Sequence, residues 1–263
     1  SPSVVMQYFV LEKARAINCL VMLDGQGGDE TLLGYERYYP ALVRTLPVAK
    51  KWNALRDSYK NSKMSIKQTV AYIYYFGNYK LRMRTLKKRA GFIQKRYLES
   101  FHSPSLAKLS SAYSDINTLQ VQEIKSTQLP HLLRYEDKNS MRHSVEARLP
   151  FIDYRAVETA LSAKIEYKIT NGWTKYLLRK SIEPKLPHSI VWRKNKFGFN
   201  APEDSWLSQH FSIMETAIKS SHILSAIIDW KRFELKNLNP RMQWRLYNLA
   251  KWEQLFHVVL DKQ

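Results

Sequence analysis

Cysteine is nearly absent. Cys19 is the only one among 263 residues, so neither a disulfide framework nor a cysteine metal site is open to this sequence. Set between apolar residues, it reads as a small buried core residue. Long apolar runs are missing as well. None approaches the ~20 residues that cross a bilayer, and the first ten residues lack the basic start and apolar core of a signal peptide. A soluble, cytoplasmic protein with no membrane contact is the expectation. Acidic residues are scarce, 23 against 42 Lys+Arg, which leaves a formal net charge of +19. That balance suits an anionic partner or substrate. No recognised nucleic-acid motif accompanies the charge, so nucleic acid is not the expected partner. Part of the charge is local: Lys80 to Arg96, "KLRMRTLKKRAGFIQKR", holds eight basic residues and no acid. It reads either as a solvated helix face or as a surface that meets an acidic partner domain. Internal repeats and low-complexity tracts are absent.

Glycine is also rare, at 8 residues, yet three of these fall between Gly25 and Gly28. The stretch "VMLDGQGGDETLLGYERYYP", Val21 to Pro40, therefore stands out. Asp-Gly between apolar residues is a hairpin signal. The residues after it do not alternate, however: Leu32, Leu33, Tyr35, Tyr38 and Tyr39 recur at helical spacing. The reading is strand, glycine-rich turn, helix, with Asp29 and Glu30 at the positive end of the helix. Gly25, Gly27 and Gly28 would let backbone N–H groups approach a ligand. Bare phosphate would be repelled by Asp29, whereas Mg²⁺ takes carboxylate and phosphate oxygens together. A metal–phosphate site and a tight structural turn both fit this spacing.

With 44% hydrophobic residues the chain can build a core, and its few glycines among many Leu, Lys, Arg and Ala favour helix. Pro2 to about Ile17 reads as a helix with Val5, Phe9, Ala14 and Ile17 on one face. Cys19 to Leu23 reads as a buried parallel strand, with no second strand evident. Helices are expected near 48–60, 65–78, 79–89, 92–101 and 117–128, then from Pro130 to about Met141. "RHSVEARLPFID", Arg142 to Asp153, loses the period and reads as a loop, after which Asp153 caps a helix to about Ala163. A turn at Asn171-Gly172 precedes a helix from Thr174. Pro184 to Pro202 is irregular. The tail from Asn239 to Leu260 is amphipathic, with Trp244, Leu246, Leu249, Trp252, Leu255 and Phe256 as expected core.

Three irregular segments carry polar clusters: Gly25 to Glu30; Glu146, Arg148 and Asp153; and Arg193, Lys194 and Lys196. For Glu146 and Arg148 a structural ion pair is an open alternative to acid–base work, and for Lys196 a plain surface charge. Long irregular loops in compact domains are often functional.

Four stretches, "LDGQGGDETLLGY", "LLRYEDKNSMRHSVEARLPFIDYRAVE", "NGWTKYLLRKSI" and "LPHSIVWRKNKFGFNAPEDSWL", together resemble, in order, the synthetase domain of glutamine-dependent asparagine synthetases. The resemblance runs from about Val21 to Leu207. It implies an α-rich α/β fold: the C-terminal part of an ATP-pyrophosphatase-type (adenine nucleotide alpha hydrolase-like) domain, covering 1–263, with a remnant of parallel sheet. It implies ATP and Mg²⁺ as cofactors and the conversion of aspartate to asparagine through β-aspartyl-AMP, with ammonia derived from glutamine. By the same resemblance Gly25, Gln26, Gly27, Gly28, Asp29 and Lys196 bind ATP or pyrophosphate, and Asp29 takes the metal. Lys196 stabilises charge during adenylation. Gln26, Tyr35 and Arg148 lie on the substrate side, and Glu146 has a polar, acid–base role.

The departures carry expectations of their own. The family's glutaminase begins with a catalytic cysteine, whereas this sequence begins with Ser1, and the family's Ser-Gly-Gly-x-Asp-Ser pyrophosphate loop occurs nowhere in the 263 residues. A glutaminase domain or other upstream polypeptide is therefore an expected partner, beside aspartate or a similar carboxylate, ATP and ammonia. Self-association is an open possibility, and the chain alone is expected to be inactive. The competing readings are a degenerate or split subunit acting as a partner-binding scaffold, an amidotransferase acting on another carboxylate, and, on charge alone, a nucleic-acid-binding protein.

Overall fold

The expected strand forms at Val21–Leu23 (β1), and its partner lies in this chain. Glu146–Arg148 (β2) runs parallel to it, with Val21 opposite Glu146, Met22 opposite Ala147 and Leu23 opposite Arg148. The ladder continues past both ends, from Glu146 N to Leu20 O (2.8 Å) and from Asp24 N to Arg148 O (2.9 Å). This corrects the reading of Arg142 to Asp153 as a loop. Glu-Ala-Arg has no strand period, and only backbone pairing over a long sequence separation makes it a strand. The expected burial of β1 is corrected too: Val21 is 42% and Leu23 75% exposed, and Cys19 is only half-buried, its thiol donating to Val21 O at 3.3 Å.

The structure is a computed structural model that describes residues 3–62, 64–194 and 201–260. Helices dominate it. The first is Ser3–Ala16, whose buried positions are Gln7, Leu11 and Ala14; the expected Phe9 and Ile17 are exposed. Helices Val48–Asn61, Ile66–Phe76, Tyr79–Arg89, Ile116–Lys125 and Gln128–Arg142 form near their expected places. Ser65 and Gln68 close a capping box at the second of these. Lys95–Ser100 is shorter than expected, and Pro104–Ala112 was not foreseen, although Ser103 caps it and Pro104 opens it.

The chain divides into two compact units. The larger takes in the described parts of residues 11–82 and 103–197. Its core gathers Leu33, Tyr38, Tyr39, Leu42, Met64, Tyr113, Ile116 and Leu119. Several buried polar groups there are paired. Glu123 accepts two bonds from the Arg37 guanidinium (3.1 and 2.9 Å) and one from the Tyr38 hydroxyl. Lys168, fully buried, donates to Gln120 Oε1 (2.8 Å), and Gln120 Nε2 donates in turn to Thr31 O (2.5 Å). A buried ammonium with no carboxylate on it is costly, and desolvation pulls the Lys168 amine down to about 8. The unfolded chain, with an ordinary lysine pKa, then holds more protons than the folded one between about pH 8 and 10.5, so stability rises with pH across that window. Urea melts at about pH 7.5 and 9.5, one point below and one above the folded value, are expected to show a gain on the order of 1–2 kcal/mol, absent in Lys168→Met.

The smaller unit takes in the described parts of residues 1–10, 83–102 and 198–263. Phe92, Ile218, Leu224, Ile228, Leu235, Leu246 and Ala250 form its core. The tail helix, Pro240–Phe256, keeps Leu246 buried but leaves Trp252, Leu255 and Phe256 exposed, against expectation. Its buried face includes polar residues with backbone work to do. Gln243 bonds the carbonyls of Leu235 and Leu238, and Glu253 accepts from His222 N, Ile223 N and the Ser221 hydroxyl, closing the start of helix His222–Ile227.

Candidate functional site

Because β1 and β2 are parallel, the segments that continue from them leave the sheet on the same side. After β1, Asp24 Oδ1 accepts from Gln26 N (2.7 Å), and Gly27 takes a left-handed φ of 86°. After β2 come a single turn at Pro150–Ile152 and helix Tyr154–Ser162, capped by Asp153. The two segments pack together. A side chain on Gly27 would collide with Ile152, one on Gly28 would meet the Phe151 ring at 3.2 Å, and the Thr31 hydroxyl donates to Phe151 O at 3.3 Å. Gly27 and Gly28 are thus glycine because the protein presses on them. Gly25 alone of the three faces open space.

The short helix Gly28–Thr31 carries two adjacent carboxylates with opposite fates. Glu30 turns inward, is 1% exposed, and accepts a bond from the Tyr35 hydroxyl at 2.8 Å. Burial raises its carboxyl above the ordinary range, against the lowering effect of that bond. The Tyr35 phenol is raised too, by burial and then by Glu30. Asp29 is partly exposed and forms an ion pair with Lys175 Nζ at 2.9 Å. Gly34 permits the pair: its N–H donates to Asp29 O (2.7 Å), and a Cβ there would lie 2.9 Å from Asp29 Cγ and inside the Lys175 side chain.

Lys175 is a site residue that the sequence does not single out. It comes after the expected turn at Asn171-Gly172, where both residues have positive φ, and Lys175 itself has φ 53° just before helix Tyr176–Ile182. A non-glycine residue in that conformation is uncommon and is the one local signal. Beyond the pair lies a cleft of about 530 Å³. Gly34, Tyr35, Glu36 and Tyr39 form one wall; Trp173 to Lys175, Arg179, Arg193 and Lys194 form much of the rest. The Arg179 guanidinium lies 4.9 Å from the Trp173 ring centre and 5.9 Å from that of Trp192, and donates to Val191 O and Thr174 O. Among the described residues four cations and a single carboxylate, Glu36, line the cleft, so an anion with a flat apolar part matches it.

Of the other expected site residues, Tyr35 borders the cleft. Gln26 is half-buried in the turn. Glu146 and Arg148 sit on β2, bonded to each other at 2.8 Å with both side chains more than half exposed, and they are not among the residues lining the cleft. Lys196 lies outside the described residues. Among the described residues no group of three or more His, Cys, Asp or Glu could hold a metal unaided, and no helix is long and apolar enough to cross a membrane.

A two-strand parallel ladder, a glycine turn and an acidic residue paired to a lysine at the edge of a cationic cleft are thus set in an otherwise helical chain. The asparagine synthase family model matches residues 1–254 and so covers both units. Asparagine synthetase [glutamine-hydrolyzing] 1 of Bacillus subtilis is 31% identical over 226 residues, 80% of this chain and 35% of that protein. A putative asparagine synthetase [glutamine-hydrolyzing] of Mycobacterium tuberculosis is 27% identical over 231 residues, 78% of this chain and 33% of that protein. The asparagine synthetase [glutamine-hydrolyzing] of Gallus gallus is 41% identical over 78 residues, 27% of this chain and 14% of that protein. No solved structure matches. The chain belongs to the asparagine synthase family. It spans about a third of the length of the two bacterial relatives.

Proposed function

We propose that this chain carries one half of an ATP-dependent ligase site that activates aspartate, or a closely similar carboxylate, and passes it to ammonia. The carboxylate oxygen attacks the α-phosphorus of ATP and pyrophosphate leaves; ammonia then attacks the acyl carbon and AMP leaves. The observation that carries the reading is the Asp29–Lys175 pair on the short helix that follows β1 and its turn, in a chain of this family.

The donor set fits magnesium with a phosphate better than a protein-only metal centre. Glu30 is withdrawn into the core, which leaves Asp29 as the outward carboxylate of the turn. One or two carboxylates plus phosphate oxygens is the ligation that Mg²⁺ ordinarily takes. Bound there, Mg²⁺ would neutralise charge on the pyrophosphate leaving group. Lys175 holds Asp29 in place and adds a cation on the same side. Glu30 and Tyr35 lock the short helix so that Asp29 points outward, and Gly34 keeps the space clear. Arg179, Arg193 and Lys194 supply positive charge along the cleft, and Trp173 an apolar wall. Lys196, only two residues past Lys194, is assigned the developing negative charge of the adenylation step. Gln26 and Arg148 are assigned to the acceptor side, and Glu146 to a polar supporting role. Gly25, Gly27 and Gly28 shape the turn.

A phosphate-cradling loop such as the family's Ser-Gly-Gly-x-Asp-Ser would supply the other half, and a glutaminase the ammonia. The purified 263-residue chain is therefore expected to show neither glutamine hydrolysis nor carboxylate-dependent ATP–pyrophosphate exchange. Exchange catalysed by the chain alone would refute the division of the site.

A further inference from the structure

The smaller unit carries a surface that the proposed chemistry leaves unused. Helix Tyr79–Arg89 ends in Arg84, Lys87, Lys88 and Arg89, and helix Lys95–Ser100 begins with Lys95 and Arg96. Lys87 Nζ donates to Glu99 O at 3.3 Å, which ties the two helices together at their charged sides. Arg84, Lys88, Arg89, Lys95 and Arg96 are exposed. Glu99 is the only carboxylate in residues 83–102, and it pairs with Lys95 at 3.4 Å.

Helix stability does not account for this charge. Lys87, Lys88 and Arg89 suit the negative end of their helix, but Lys95 and Arg96 occupy the first turn of theirs, where cations oppose the helix dipole. Like charges this close also repel. The surface holds apolar groups as well: Tyr97 is 40% and Phe101 49% exposed.

We infer that this basic two-helix surface docks an acidic polypeptide that also carries apolar side chains. Charge complementarity sets the sign of the partner. Two features favour a polypeptide over a nucleic acid. The Arg96 guanidinium lies over the Tyr97 ring, 4.8 Å from its centre, and occupies a face on which a base would stack. Glu99, with its side chain 66% exposed, would repel a phosphate backbone, whereas a polypeptide can meet it with a neutral or basic residue. Apolar anchors of the partner would cover Tyr97 and Phe101, and its carboxylates would meet Arg84, Lys88 and Arg96. This surface is independent of the proposed ligase site, so either can fail without the other.

The test is fluorescence anisotropy of the full chain at physiological salt with three probes: a synthetic peptide of repeated glutamate bearing leucine and phenylalanine at intervals, poly-glutamate of equal length, and single-stranded oligo(dT). The mixed peptide is expected to bind best. Arg84→Glu/Lys88→Glu/Arg96→Glu should weaken it by roughly 30-fold or more, and reversing three exposed cations elsewhere, Lys67→Glu/Lys125→Glu/Lys138→Glu, by less than about threefold. Tyr97→Ala should abolish the preference for the mixed peptide over poly-glutamate. The neutral triple Arg84→Gln/Lys88→Gln/Arg96→Gln, with circular dichroism to verify folding, should show a smaller loss in the same direction. Equal loss from both charge-reversed triples, tighter binding of oligo(dT), or no binding of the mixed peptide each overturns the inference.

Discussion

Replacing Gly172 by alanine is expected to destabilise the larger unit by on the order of 3 kcal/mol and to lower its unfolding midpoint by roughly 6–12 °C. Asn171 and Gly172 have φ of 49° and 76°, and Thr170 and Trp173 exchange backbone bonds across them at 3.1 and 2.8 Å. A Cβ on Gly172 would lie 2.9 Å from Ser58 N and closer still to the Asp57 carbonyl. Both obstacles are backbone, so no rotamer change relieves them. The Gly172 carbonyl also accepts the hydroxyl of the buried Tyr39. The turn leads directly into Trp173 and Lys175, so the cleft should loosen with it. Gly25→Ala is the control: nothing lies within 4 Å of a Cβ there. A scanning calorimetry trace of Gly172→Ala that overlays the parent, or a Gly25→Ala that falls as far, would show that the turn does not bear this strain.

The second large effect is expected at Glu123. Its carboxylate is 4% exposed and takes two bonds from Arg37, whose guanidinium also stacks 4.0 Å over the Tyr35 ring. Breaking a buried pair from one side strands the other charge and costs about 3–5 kcal/mol; Arg37 retains some solvent contact, so about 2–4 kcal/mol is expected for Glu123→Ala. Removing both charges in Arg37→Met/Glu123→Leu should recover at least half of the loss, because the stranded cation causes most of it. Urea denaturation of the three variants measures this. A double variant no more stable than Glu123→Ala would place the cost in lost packing instead.

Helices were the legible part of the fold. Their apolar period and their caps, Ser65 with Gln68 and Asp153 among them, are local features that survive into the structure. β2 was not legible, since Glu-Ala-Arg becomes a strand only through bonds to residues more than a hundred positions earlier. Burial departs from the apolar period where polar residues serve the backbone. Gln243 and Glu253 face inward to satisfy carbonyls and N–H groups, and Trp252, Leu255 and Phe256 stay outside. The Gly25–Glu30 turn was legible as strand, turn and helix. Which of its two carboxylates turns outward was not, because packing of Glu30 against Tyr35 and the core decides it. Lys175 is not legible in the sequence because its partner is remote and a lysine in a basic chain does not stand out; its positive φ is visible only in the structure.

On the function proposed above, the turn after β1 holds a metal-bound phosphate through Asp29. Isothermal titration of the purified chain with pyrophosphate, with and without Mg²⁺, tests it most directly. Binding is expected to require Mg²⁺, to weaken by roughly tenfold or more in Asp29→Asn, and to weaken by a similar factor in Lys175→Met, while Lys67→Gln leaves it unchanged. Pyrophosphate binding of equal strength in the parent and in a folded Asp29→Asn, or binding indifferent to Mg²⁺, would contradict the account.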